Sequence, residues 1–102
     1  MFVPLLAFVL LFASTFADQR DCNGCHMIVG SAYSHDVRNS LASVTAFRAF
    51  YADECGFFQH QLGNDIAAYC MHLYKTNEPE MMKEYQANRP PGLVCTDLKQ
   101  CS

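Results

Sequence analysis

Cys22-Asn23-Gly24-Cys25-His26 is the stretch whose residue types and spacing come nearest to a known chemistry. C-x-x-C-H is the sequence of covalent c-type haem attachment, in which two thiols take the vinyl groups and the histidine ligates iron; Met81 or Met82 could serve as the second axial ligand. As a small cytochrome, however, the chain would leave four cysteines unexplained, and Cys95-x5-Cys101 would have no purpose. A redox dithiol needs a βαβ setting that nothing here suggests. Zinc held by Cys22, Cys25 and histidine is disfavoured where thiols oxidise. His35-Asp36 has neither a Gly-x-Ser-x-Gly elbow nor a second clustered carboxylate, and reads as a turn before a helix. The expectation is a non-enzyme with no cofactor and no metal.

The remaining use for six cysteines is covalent bracing. Residues 1–17 (MFVPLLAFVLLFASTFA) are uncharged and end in small side chains, the pattern of a secretory signal cleaved after Ala17. A retained membrane anchor is the alternative, but the apolar run is short and a polar DQRDC follows at once. The rest, 18–102, reads as one small secreted domain. At that size a hydrophobic core supplies only a few kcal/mol, so three disulfides in an oxidising compartment are expected. Cys22 and Cys25 near one end, Cys55 and Cys70 in the middle, and Cys95 and Cys101 at the other end suggest a nested staple. Arithmetic alone leaves fifteen pairings open.

Seven Lys and Arg against ten Asp and Glu give a net charge of −3. That is no nucleic-acid footprint, and it is not the cationic surface of a peptide that seeks anionic lipid at neutral pH. Apolar residues recur at helical spacing in five stretches. Cys22 to Tyr33 predicts a helix capped by Asp21. A second, wide-faced helix is predicted from Asp36 through Val37, Leu41, Val44, Tyr51 and Cys55, with Phe47, Phe50, Phe57 and Phe58 on an adjoining stripe. Gly63-Asn64-Asp65 precedes a third helix ending at Thr76-Asn77. Asn77 is a plausible cap for a fourth, with Pro79 in its first turn. Arg89-Pro90-Pro91-Gly92 separates it from a short last helix. No strand-like alternation persists, so the expected fold is an all-α bundle of four to five helices.

With C-x2-C, a helical pair around Cys55 and Cys70, and a proline-led break before VC-x2-L-x2-C in hand, the whole mature chain resembles a saposin-like (saposin B-type) domain, and most of all the single-domain amoebapores and nematode caenopores. The resemblance implies Cys22 paired with Cys101, Cys25 with Cys95, and Cys55 with Cys70. It also implies a helical leaf whose first and last helices form one half, whose middle helices form the other, and whose apolar inner face can hinge open onto lipid. Two departures stand out. The interval GFFQHQLGNDIAAY between Cys55 and Cys70 is longer than is usual for the family, which predicts an extra turn or loop carrying Phe57 and Phe58. The negative charge sets this chain apart from cationic members.

The function expected from the resemblance is binding and permeabilising microbial membranes, as an antimicrobial or digestive effector. A non-lytic lipid carrier is the alternative. Phe47, Phe50, Tyr51, Phe57 and Phe58 are the candidates for contact with lipid, and Arg38, Arg48 and Lys75 for contact with anionic head groups; a homodimer or larger assembly on the membrane is within the expectation. Imidazoles charge near pH 6.5, so His26, His35, His60 and His72 could together move the formal charge from −3 toward about +1 on acidification. Lipid binding is therefore expected to rise as pH falls.

Overall fold

Three disulfides lay down the plan of the chain: Cys22–Cys101, Cys25–Cys95 and Cys55–Cys70. This is the pairing that the resemblance implied. The computed structural model describes residues 19–102; the leader expected over 1–17, with its cleavage after Ala17, lies outside the described residues.

Helix α1 occupies residues 19–34. Cys25, Ile28, Val29 and Ala32 fall on one face at three- and four-residue steps and are all fully buried. Asp21 does not cap it, because the helix is already running at residue 19. Gly24 is required for packing: a Cβ there would meet a Tyr69 ring carbon at 3.0 Å.

The long second helix predicted from Asp36 is divided in two. Asp36 takes a left-handed backbone (φ 59°) and caps nothing with its side chain. A single 3-10 turn, Val37–Ser40, follows, with the Val37 side chain fully buried. Helix α2 then runs over Val44–Leu62, and its true cap is Ser43, whose Oγ accepts a hydrogen bond from the Ala46 N–H at 3.0 Å. Of the extra turn or loop predicted at Phe57 and Phe58, no loop is formed. The added residues lengthen α2 by helical turns instead, up to Gly63, whose φ of 103° favours glycine.

Helix α3 spans Asn64–Thr76 and packs antiparallel against α2, with the Cys55–Cys70 link inside the hairpin. Asn77 stands before α4 (Glu78–Gln86) but does not cap it with its side chain; its Nδ2 donates to the Leu73 carbonyl at 2.9 Å and so closes the end of α3. The last helix, α5, spans Pro91–Asp97 and opens on a proline, whose missing N–H costs nothing there.

The core is aromatic. Tyr51 stacks on Tyr74 at 4.7 Å, and the Phe47 ring meets Tyr51, Tyr74 and Tyr85 edge-on at 5.4–6.0 Å. The hydroxyls of Tyr74 and Tyr85, 3.0 Å apart, hydrogen-bond each other. Burial pushes both phenols well above their ordinary value, so they stay neutral. The result is an all-α bundle of five helices, and the described residues contain no strand.

Candidate functional site

The C-x-x-C-H stretch is spoken for. Both thiols are disulfide sulfurs, and haem attachment or zinc binding requires thiols or thiolates that are free to react. The His26 ring comes within 4.8 Å of the Cys22 and Cys101 sulfurs, but these two are bonded to each other. Met81, offered as an axial ligand, is fully buried in the core.

A polar cluster that the sequence did not announce lies where α1 meets α2. Glu54 is the one charged residue buried among the described residues, at 5% exposure. It stands in the apolar stripe of α2 between Tyr51 and Phe58, and its misplacement there is the only sequence signal that could have found it. From the last turn of α1, Ser31 Oγ donates to Glu54 Oε1 at 3.2 Å. His35 Nδ1 lies 2.6 Å from Oε2 of the same carboxylate. Serine, histidine and carboxylate in contact invite comparison with a hydrolytic triad. There, serine and acid use opposite imidazole nitrogens. Here both face Nδ1, with Ser31 Oγ at 3.4 Å, so no proton relay from serine is formed.

A second contact ties α2 to α4. Arg48 makes two hydrogen bonds of 2.9 Å to the Glu78 carboxylate, and the Tyr51 hydroxyl donates to it at 2.6 Å. These bonds hold the Glu78 carboxyl down at about 2, from an ordinary 4.5. A depressed carboxyl stabilises the fold above its unfolded value, and that contribution is lost as pH falls through the folded one. The stability difference between the native chain and Glu78→Gln should therefore be the same at pH 7 and pH 5. It should shrink only between about 4.5 and 2 in acid melts. Shrinkage already complete by pH 5 would refute this assignment.

The corner between α4 and α5 behaves in the opposite sense. Arg89 bridges Glu84 at 2.7 Å and Asp97 at 3.0 Å. The first approach lies off the N–H direction, making it an ionic contact rather than a hydrogen bond. Burial, with Asp97 beside it, raises the Glu84 carboxyl above its ordinary range. Its contribution is therefore full in acid and fades as pH rises.

The surface differs from expectation in its aromatics. Phe47, Tyr51 and Phe58 are buried, Phe50 is half-buried, and only Phe57 is exposed. So small a domain fills its core with the bulkiest side chains it has, and the stripe predicted to face lipid is the one that packs against α3 and α4. Apolar surface is supplied instead by Met27 and by Leu62, the latter 59% exposed. With Ile66 and Tyr69 they line a cleft of about 830 Å³ between the start of α1 and the α2–α3 turn, rimmed by Arg20, Asp21 and Asp65. The Tyr69 hydroxyl lies 2.9 Å from the Asp21 carbonyl and 2.7 Å from Gln100 Oε1, fastening the floor of the cleft to both ends of the domain. Burial, with Asp21 nearby, pushes its phenol up to about 12. Arg38 and Lys75 are exposed, whereas Arg48 is committed to Glu78. His26, His60 and His72 are exposed, and His35 belongs to the Glu54 cluster.

Together these features define a class: a small, disulfide-stapled helical domain with an aromatic core and an apolar cleft at one end. Among the described residues no helix is long and apolar enough to cross a membrane. No family model, curated protein or solved structure matches the chain.

Proposed function

We propose that this chain is a secreted, saposin-like, non-enzymatic protein that binds lipid and permeabilises microbial membranes. The observation that carries the reading is where the covalent links do not run. Two disulfides join α1 to the α5 end of the chain and the third lies within the α2–α3 hairpin, so no disulfide joins the hairpin to the terminal half. The hairpin can swing on the segment before Ser43 and the break at Asn77 while every covalent link stays intact. Opening would turn Phe47, Tyr51 and Phe58 toward acyl chains and leave the terminal half tied.

First contact with the bilayer falls to Phe57 and to the cleft of Met27, Leu62 and Ile66, with Arg38 and Lys75 toward anionic head groups. Lower pH brings the net charge of −3 closer to neutral and so favours approach to anionic lipid. The three disulfides suit an oxidising compartment, which supports secretion.

The test is dye release from vesicles containing anionic lipid, at pH 7 and pH 5, beside a lipid-extraction assay. Release should be greater at pH 5. Replacing Phe57 and Leu62 by serine should weaken vesicle binding at least about tenfold, because two apolar side chains lose their transfer to lipid, while the melting temperature moves little. Extraction of lipid without leakage would assign the chain to the non-lytic carriers instead.

A further inference from the structure

The seam that must part in any such opening is crossed by a contact unlike the rest of the core. Glu54, on α2, lies inside the bundle near enough to Tyr74 and Tyr85 for its charge to help raise both phenols. Its hydrogen-bond partners are Ser31, in the last turn of α1, and His35, in the turn just past its end. His35 is in turn flanked by α2, since the exposed Phe57 ring meets its imidazole edge-on at 5.4 Å. One imidazole therefore touches both the buried carboxylate and the aromatic expected to reach lipid first.

We propose that Ser31, His35 and Glu54 form a latch that holds α1 against the α2–α3 hairpin, and that depriving Glu54 of His35 opens the seam. The inference rests on the reading of this protein as one that opens onto lipid. Its physical basis is general. A buried carboxylate is tolerated while charge-assisted hydrogen bonds replace its water; without its main partner it favours whichever conformation returns it to solvent. Separation of α1 from α2 would return this carboxylate to solvent. The short Ser34–Ser43 connection, with its left-handed Asp36 and single 3-10 turn, is the stretch of chain that joins the two sides of that seam.

His35→Ala tests the latch, with His35→Ala/Glu54→Leu as its control. The double variant removes the stranded charge and returns apolar volume to the core. In the free protein, native-state hydrogen exchange of the seam amides of α1 (28–32) should quicken on the order of a hundredfold in His35→Ala and return near the native rate in the double variant. Amides 70–74 of α3, held within the disulfide-linked hairpin, should change far less. Unchanged seam exchange would overturn the latch, and so would equal acceleration at every amide, which signals loss of the whole fold. Dye release from anionic vesicles at pH 7 should rise in His35→Ala and fall back in the double variant. Seam exchange that responds as stated without any change in release keeps the latch and removes the membrane reading.

Discussion

Removing one end link should weaken this domain without unfolding it, and removing both should unfold it. With Cys22–Cys101 intact, the Cys25–Cys95 bond closes only the short ring made by residues 22–25 and 95–101. Its loss as a serine pair should lower stability by about 2–3 kcal/mol, or a melting temperature roughly 10–20 °C lower. The same holds with the roles exchanged. Once both are gone, closure of the 79-residue span is lost as well. The combined cost of roughly 7 kcal/mol is comparable to the entire stability of a domain this size. Circular dichroism of the two single-pair variants and the double-pair variant checks this. If either single-pair variant unfolds as fully as the double, the nested account is wrong.

Phe47→Ala should cost about 3–5 kcal/mol, the usual penalty for emptying a large aromatic site in a packed core. Phe47 is fully buried against three tyrosine rings, and the cavity left behind would be bounded by phenols already hydrogen-bonded, Tyr74 to Tyr85 and Tyr51 to Glu78, with little freedom to collapse inward. A melting temperature lower by roughly 15–30 °C is expected. Were Phe47 instead part of a permanently exposed lipid-seeking face, the same substitution would move stability by only about half a kcal/mol and act on vesicle binding alone. The two outcomes are well separated, and a thermal melt decides between them.

Much of the fold was legible in the chain. Helical spacing of Cys25, Ile28, Val29 and Ala32, the punctuation at Gly63, and the prolines at 79 and 91 are local signals, and local physics honours them. Boundaries were less legible where two side chains compete for one role. Asp36, Asp21 and Asn77 all look like caps. None caps with its side chain: Asp36 has a left-handed backbone, α1 is already running before Asp21, and the Asn77 amide joins its own backbone N–H on the Leu73 carbonyl.

What the amino-acid order determined by itself was an all-helical domain, rich in aromatics, with cysteines at its ends and middle suited to a staple. What tertiary structure alone decided was orientation. Period and composition mark a stripe as apolar without saying what will cover it, and α2 turned Phe47, Tyr51 and Phe58 into the bundle while leaving Phe57 and Leu62 outside. The same holds for Glu54. Its place in the stripe is visible in one dimension, but Ser31 and His35 reach it only because the chain folds back at Asp36, and a buried charge acquires its meaning from the partners that folding brings to it.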